Sequence, residues 1–548
     1  MRSNLFASGL AIVLGFAGVS AIFPEKGFAN GFPESAIAQS VGQRKEEADR
    51  LLEQGKQQYL RSQFEAAFQS WQSALEIYKE IKDRQGEGAA LGNLGTVYDS
   101  LGNYAKAIEY HEQSLAIARE IKDPLSEGNA LGNLGNAYQS LGEYAKVIEY
   151  QEKSLAIKRK IKNRRGEGNS LGNLGNAYQS LGNYANAIEY HEQSLAIAQE
   201  IKDRLSEGQS LGSLGNVYQA LGNYAKAIEY YEQYLVISRE NESRLGEANA
   251  LGSLGTAYQA LGNYAKAIEY YEQYLAIARE IKDPFSEANA LGNLGTAYQA
   301  LGNYTKAIEY HEQRLAIARG IKDRLGEGIA LGNLGNAYRS LGNYAKAIEY
   351  HEISLAIARQ LKDREGERIA LNSIGSVLTN QNQPDLAIAF YKQSVNISES
   401  LRKNIRKLPR EAQEVYTSSI ASTYRDLADL LLTQGRTREA QSTLELLKVQ
   451  ESSRDGQAQE TTSSIVQLPL HPLESQAFQT FEKSIASKQP LTLEILNPIA
   501  QLLTQNRDRI TQDMNNLPIA IGNPQALLKA NPNALLIQNL VAKGATSI

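Results

Sequence analysis

Apolar positions recur at spacings of three and four along most of the chain, a pattern that predicts helices with one buried face. Between residues 84 and 120, Leu91, Leu94 and Leu101 form one such stripe, and Tyr104 and Leu115 belong to a second. The two stripes have separate phases and are divided by a glycine-containing turn. The pattern therefore predicts a pair of helices in each segment of about this length.

The helix pair recurs every 40 residues. The string Leu-Gly-Asn-Leu-Gly-Asn-Ala-Tyr-Gln-Ser-Leu-Gly occupies residues 131–142 and again 171–182. Fixed periods of this size are typical of stacked repeat arrays, in which each unit buries its apolar face against its neighbours. We expect ten units over residues 48–448, with the strongest copies over 88–367.

Turn chemistry marks the predicted helix ends more sharply than the helix interiors. A small polar residue, which can accept a hydrogen bond from free amides of the opening turn, precedes each first helix. These residues are Asp83, Asp123, Asn163, Asp203, Ser243, Asp283, Asp323 and Asp363. Glycine, which can adopt the left-handed conformation that ends a helix, stands between the two helices. These glycines are Gly102, Gly142, Gly182, Gly222, Gly262, Gly302 and Gly342.

Several recurring residues fall on the signature positions of the tetratricopeptide repeat family. In one copy they are Leu131, Leu134, Gly135, Tyr138, Gly142 and Tyr144. The chain therefore resembles that family over about 400 residues, and its 40-residue repeat resembles the subclass found in cell-polarity adaptors and kinesin light chains. The resemblance implies an all-α, right-handed solenoid whose first helices line a concave groove. It also implies a non-enzymatic scaffold that binds a protein or peptide partner.

Positions that line the groove in the family are mostly carboxamides in this chain. One row contains Asn136, Asn176, Asn216 and Asn336. A second contains Gln139, Gln179, Gln219, Gln259 and Gln299, followed by Arg339. A third contains Asn129, Asn169, Gln209, Asn249 and Asn289, and a fourth is glycine from Gly92 to Gly332. Amides both donate and accept hydrogen bonds, which suits the backbone of an extended peptide.

We accordingly expect a peptide-binding groove that is rich in carboxamides and almost uncharged. The family's clamp for peptide carboxylates needs lysine or arginine on this face, where glycine and glutamine stand here, so the resemblance does not imply that activity. A different interpretation remains open. Near-identical copies also suit a spacer or assembly scaffold, in which the polar rows are only a solvated face.

Composition limits the kinds of partner and reactive site that the chain could have. The formal net charge is −4 and charged residues make up 22% of the chain, so nothing favours nucleic acid as a partner. The absence of cysteine excludes disulfides, zinc–thiolate sites and cysteine nucleophiles. We expect no cofactor, no metal and no small-molecule substrate.

Three patterns that could indicate a reactive site have simpler explanations. Four histidines share one repeat phase, which is occupied in other copies by Gln151, Tyr231 or Tyr271, so we expect packing between helices instead of metal binding. The histidines are His111, His191, His311 and His351. Glycine pairs such as Gly132 and Gly135 lie inside a helical pattern and predict close helix contact, not a phosphate loop. Paired acids on the second helices are expected in solvent. The sequence therefore predicts that the chain is not an enzyme.

The amino-terminal segment, residues 1–38, is interpreted as a secretory signal peptide or an uncleaved anchor. An apolar run over residues 5–23 follows Arg2, and Ala36-Ile37-Ala38 provides small residues for cleavage. Either alternative predicts export, to the periplasm or outside the cell. Contact with a membrane is expected only if the segment is not cleaved.

The carboxyl-terminal part departs from the repeat. Residues 449–466 have the composition of a linker, and within 467–548 we expect helices near 473–487, 491–514 and 524–529 and a strand near 534–541. Residues 402–451 and 526–537 resemble the approach to a CHAT domain, a caspase-like module, but the chain ends before the positions of its catalytic residues. The resemblance implies, as an alternative function, a regulatory or decayed relative of a repeat–CHAT protease. An unrelated helical cap over the last repeat is also open.

Overall fold

The computed structural model describes residues 34–405, 410–452, 467–486 and 493–517, and within these ranges it contains 23 helices and no strand. The predicted all-α class is confirmed. The chain divides into two units, Met1–Asn241 and Glu242–Ile548. In each unit consecutive helices pack as antiparallel hairpins that stack on their neighbours, as in an α-solenoid.

The first unit contains ten helices within the described residues. They are α1 (Glu34–Leu60), α2 (Phe64–Glu80), α3 (Arg84–Ser100), α4 (Tyr104–Glu120), α5 (Pro124–Ser140), α6 (Tyr144–Lys160), α7 (Arg164–Ser180), α8 (Tyr184–Glu200), α9 (Arg204–Ala220) and α10 (Tyr224–Glu240). Helix α1 begins before the predicted start of the repeats at residue 48. Most of the predicted signal segment lies outside the described residues.

The second unit contains the remaining thirteen helices of the described residues. They are α11 (Arg244–Ala260), α12 (Tyr264–Glu280), α13 (Pro284–Ala300), α14 (Tyr304–Gly320), α15 (Arg324–Ser340), α16 (Tyr344–Leu361), α17 (Arg364–Asn380), α18 (Pro384–Ile405), α19 (Arg410–Thr433), α20 (Thr437–Ser452), α21 (Pro472–Ala486), α22 (Leu493–Gln505) and α23 (Arg507–Asn515). Odd-numbered helices up to α19 are first helices of a repeat, and even-numbered helices up to α20 are second helices.

The predicted helix boundaries are confirmed. All eight capping residues accept a hydrogen bond from the opening turn; for example, Asp83 accepts from the Gly86 amide at 3.0 Å. The turn glycines have φ between 74° and 83°. Sequence reasoning missed a second turn, in which a non-glycine residue such as Lys82 has φ of 59°. It also missed that Asn103 and its counterparts cap the second helices.

The glycines within the first helices allow the second helices to approach closely. A Cβ atom added to Gly95 would lie 2.6 Å from the ring of His111, and one added to Gly135 would lie 2.7 Å from Gln151 Nε2. Real side chains do not approach this closely. The histidine at this phase is at most 1% exposed in every copy that has one. The interpretation of these histidines as packing residues, and of the glycine pairs as close contacts, is confirmed.

Because His111 and His191 are buried, their burial lowers the pKa of each to about 4. Each folded-state pKa is below the unfolded value of 6.5, so protonation favours unfolding as the pH falls from about 6.5 towards 4. We expect the double variant H111Y/H191Y, which places at both sites the tyrosine found at Tyr231, to lose less stability over this range. Thermal unfolding of both proteins at pH 7 and pH 4.5 checks this; an equal drop in Tm would contradict it.

Helices α21 and α22 cover the outer face of α18. In α4, Ala105, Glu109 and Glu112 are exposed, whereas their phase equivalents in α18, Asp385, Ala389 and Lys392, are buried. Arg507 donates to Asp385 at 2.8 Å, which fixes the start of α23 on the same helix. The expectation of helices near 473–487 and 491–514 is confirmed, with the second divided into α22 and α23. The expected helix near 524–529 and strand near 534–541, and part of the CHAT-like segments, lie outside the described residues.

A buried charge cluster holds this cap in place. Lys392 Nζ lies 2.9 Å from Glu474 on α21 and pairs also with Glu439 on α20, while Arg436 contacts Glu474 at 2.7 Å. Burial opposes the charged form of Glu474, but Lys392 and Arg436 overcome this and hold its pKa below the usual value. The cluster links three helices that are distant in sequence.

Changing Lys392 to alanine would leave two buried carboxylates short of a cation. We expect a loss of about 3 kcal/mol in the free energy of unfolding of this region, because breaking a buried ion pair strands its partner. Glu112→Ala, at the same repeat phase but exposed in solvent, should change stability by no more than about 0.5 kcal/mol. Denaturant unfolding measures the free energy of unfolding of the two variants. Equal changes in the two variants would show that the cluster does not hold the cap.

Candidate functional site

A cavity of ≈ 750 Å³ runs along the first helices α3, α5, α7 and α9 of the first unit. Side-chain amides and small hydroxyls make up most of its lining. The sequence-predicted residues among them are Asn129, Asn136, Asn169, Asn176 and Gln209. We call this feature the amide cavity. It opens towards solvent and is long in the direction of repeat stacking.

One further row of lining residues was missed by sequence reasoning. It contains Asn93, Asn133, Asn173 and Ser213, the first asparagine of the recurring Leu-Gly-Asn-Leu-Gly-Asn string or the serine that replaces it. These residues are half-buried and lie one helical turn from the predicted row at 129, 169 and 209. The recurrence of two asparagines in each string was the available signal, since only the second was assigned to the groove.

Two of the other four predicted amides of the first unit, Asn216 and Gln219, are engaged within the protein. The Tyr231 hydroxyl donates to Asn216 Oδ1 at 2.7 Å and to Gln219 Oε1 at 3.2 Å. Gln139 and Gln179 are half-buried. The glutamine row of Gln139, Gln179 and Gln219 is therefore less accessible than the row of Asn129, Asn169 and Gln209, which is exposed. The binding role assigned to all these residues stays a prediction.

In the second unit the predicted residues divide in the same way. Asn249 and Asn289 are exposed. Gln259 accepts from Tyr271 at 3.3 Å and Gln299 donates to Ser340 at 3.4 Å. Arg339 donates to Ser376 at 2.6 Å. Three of these five side chains thus have an internal partner.

A second cavity, of ≈ 200 Å³, lies in the second unit and has a different character. It contains Asn336 of the predicted rows, but Leu325, Ile329 and Ile369 supply exposed apolar surface. Ile329 occupies the repeat phase of Asn289. Sequence reasoning stopped the third row at Asn289 and so missed this change, although the isoleucines stand in the sequence at the expected interval.

The lining of the amide cavity includes one lysine, on α6, that the expectation of an almost uncharged groove did not name. Lys158 is only 7% exposed and forms part of the lining of the amide cavity. Its repeat phase holds alanine or serine in the other strong copies, at Ala118, Ala198 and Ser238 among them. Sequence reasoning assigned the groove to first helices alone and therefore did not consider a side chain that reaches it from a second helix.

The surroundings of Lys158 are polar but contain no paired anion. Its Nζ donates to Ser170 Oγ at 3.1 Å, and a Cβ added to Gly132 would lie 3.4 Å from the same atom. Burial lowers the pKa of Lys158, and no charged group of the described residues offsets that burial. Among the described residues that line the amide cavity, Lys158 is the one lysine or arginine, and no aspartate or glutamate accompanies it.

Because no anion compensates the buried charge, Lys158→Ala should stabilise the protein at neutral pH. The penalty is present while the lysine is protonated in the folded state and is relieved as the pH rises towards the unfolded pKa of 10.5. The advantage of the variant should therefore shrink at alkaline pH. Urea unfolding at pH 7 and pH 10 measures this; a destabilised variant at pH 7 would show that Lys158 is a structural residue.

Asn136 and Gln151 form a second polar contact at this point of the cavity. Gln151 Nε2 donates to the Gly132 carbonyl and to Asn136 Oδ1, both at 3.0 Å, and Asn173 Nδ2 donates to the same Oδ1 at 2.9 Å. Gln151 Oε1 is buried without a hydrogen-bond partner in the described structure. The amide nitrogen of Asn136 remains available to a ligand.

Among the described residues, no three histidine, aspartate or glutamate side chains gather as a metal ion would require. No helix in the same part of the chain combines the length and apolar character needed to cross a bilayer. The arrangement offers hydrogen bonds and one cation, which suits recognition of a polar ligand.

Family models described as tetratricopeptide repeat match most of the repeat region. The matched residues are 51–120, 100–160, 126–200, 166–240, 206–280, 246–320 and 326–400, and a second model with the same description matches 421–445. Together the first set spans residues 51–320 and 326–400. No curated protein matches the chain.

Solved structures resemble parts of the chain. A signal transduction ATPase with a tetratricopeptide repeat sensor from Pyrococcus horikoshii is 20% identical, with a TM-score of 0.47, over 60% of this chain and 48% of that protein. A putative kinesin light chain with nearly identical repeats from Podosopora anserina is 29% identical, with a TM-score of 0.32, over 36% of this chain and 97% of that chain. The apo quorum sensor NprR from B. thuringiensis is 15% identical, with a TM-score of 0.46, over 59% of this chain and 99% of that chain.

Proposed function

The chain belongs to the tetratricopeptide repeat family, and from this premise we propose that it is a non-enzymatic scaffold whose amide cavity binds an extended peptide segment of a partner protein. The observation behind the proposal is the exposed amide row, Asn129, Asn169 and Gln209, which repeats at the spacing of the first helices along a continuous cavity. The proposal includes export of the chain, on the strength of its apolar amino-terminal segment.

The repeat spacing matches the geometry of an extended chain. Neighbouring helices pack about 8–10 Å apart, and an extended peptide advances about 3.3 Å per residue. A bound peptide would therefore advance by about three residues between successive first helices and present a backbone N–H or C=O group to each of them. Because an amide side chain can either donate to a carbonyl or accept from an N–H group, the same residue serves at every step.

The polar lining also fits a peptide better than a compact apolar ligand. Pockets for small molecules are mostly apolar with a few polar groups, whereas the amide cavity is lined mainly by asparagine, serine, glutamine and backbone at glycine. Gly92, Gly132 and Gly172 have no side chains, so the backbone at these lining positions is within reach of a ligand. A spacer or assembly scaffold would not need the amides to be accessible.

The exposed amide row is the part of the lining to change in a test. Asn136 and Asn216 accept hydrogen bonds from neighbouring side chains, so their removal would alter the protein itself. Asn129, Asn169 and Gln209 are exposed. Their replacement by alanine removes ligand contacts with little effect on the fold.

We expect the variant N129A/N169A/Q209A to bind a captured partner about 100-fold more weakly, since three net hydrogen bonds of about 1 kcal/mol each would be lost. Its Tm should match that of the unaltered chain. The experiment captures partners on the immobilised 548-residue chain, identifies them by mass spectrometry and measures the affinity of a purified partner by titration calorimetry. Q113A/Q233A, which removes exposed amides from second helices, is the control.

Equal binding by the triple variant, the control and the unaltered chain would refute a binding role for the amide cavity. It would favour the spacer interpretation or contact through another surface. Loss of binding in the control variant alone would point to the second helices instead.

A further inference from the structure

We infer that the amide cavity selects peptides with an internal aspartate or glutamate, whose carboxylate pairs with Lys158 Nζ. This inference rests on the proposed peptide-binding function and adds to it the chemistry of the partner. It assigns a determinant of specificity to a second helix, at a position where the other strong repeats have alanine or serine.

The lysine is held so that its charged end is available. Ser170 accepts one N–H of Lys158 at 3.1 Å, and Ser170 is itself anchored by a hydrogen bond to Ser154 at 3.3 Å. An ammonium group has three N–H donors, so two remain. Gly132 has no side chain to cover Nζ: an added Cβ would lie 3.4 Å away.

The charge has no counterpart inside the protein. The described residues that line the cavity include no aspartate or glutamate. Glu167, a buried charge of the next repeat, has cationic partners: it contacts Arg159 at 2.8 Å and Arg164 at 2.5 Å. Lys158 is as deeply buried, at 7% exposure, and has no anionic partner among the described residues. An arriving carboxylate would supply the missing partner in surroundings where a charge-assisted hydrogen bond is strong.

The neighbouring groups suit one carboxylate. The free amide nitrogen of Asn136 lies on the same side of α5 as Gly132 and can donate to a second carboxylate oxygen. A phosphate has a charge between −1.5 and −2 at neutral pH, so one lysine would leave it partly uncompensated. A single carboxylate matches the single positive charge.

The position of Lys158 indicates an internal residue of the peptide and not a chain end. The amide cavity extends from Gln85 and Asn93 on α3 to Gln209 and Ser213 on α9. Lys158 on α6 packs between α5 and α7, near the middle of this span. A peptide that fills the cavity would continue past Lys158 in both directions.

The test uses a random dodecapeptide library displayed on phage and selected on the immobilised 548-residue chain. Selected peptides are synthesised in four forms: unchanged, with the acidic residue replaced by its amide, with the carboxyl terminus amidated, and with both changes. Their affinities are measured by fluorescence polarisation for the unaltered chain, K158A and K153A. Lys153 lies on the same helix but is exposed and pairs with Glu149, so K153A is the control for a lost positive charge.

We expect selection to enrich one acidic position, and K158A to bind the unchanged peptides about 10- to 100-fold more weakly. Replacing the peptide's acid by its amide should weaken binding to the unaltered chain by a similar factor and have little further effect on K158A. Amidation of the terminus should have no effect, and K153A should behave as the unaltered chain does.

Each other outcome overturns the inference in a recognisable way. If selected peptides lack an acid, or K158A and K153A bind equally, Lys158 is not a determinant, while dependence on Asn129, Asn169 and Gln209 would still support the proposed function. If terminal amidation alone weakens binding, the site recognises a chain end. If selection yields no peptide that binds, the proposed function fails together with the inference.

Discussion

The close approach of each second helix to the glycines of its first helix is the constraint on which the repeat depends. His111 lies against Gly95, Gln151 against Gly135 and Tyr231 against Gly215, and in none of these places is there room for a Cβ. Glycine in a helix interior lowers helix propensity by about 1 kcal/mol. The helix pair recovers this only through packing, so the units are stable as a stack and not singly.

This packing also decides which residues are free to bind. The glycine phase and the buried leucines fix one face of each first helix against its partner, and the exposed phase of Asn129 and Asn169 is left pointing to solvent. The cap formed by α21 and α22 lies on the outer face of α18, where Lys392 replaces an exposed glutamate. In the second unit the cap therefore takes up second-helix surface and leaves the first helices uncovered.

Much of the fold was predictable because the determinants are local and repeated. A capping aspartate such as Asp83, a turn glycine such as Gly102 and a stripe of leucines act within one or two helical turns. The site was less predictable because it depends on how deeply each side chain is buried and on which internal partner it contacts. Asn216 and Asn136 occupy the same phase, yet the first accepts from Tyr231 and the second from Gln151. Lys158 was missed because its charge enters the groove from a second helix.

The departures from the repeat are more informative than the repeat itself. Identical copies can arise by duplication without any demand from a ligand, so the uniform amides alone do not establish recognition. Gln151 and Lys158, however, both differ from the other strong copies, lie seven residues apart on one face of α6, and meet at Gly132. A buried cation without an anionic partner lowers stability, and duplication gives no reason to keep it. A ligand that is present only in the complex would give such a reason, and it would make this point of the cavity the one where different peptides are told apart.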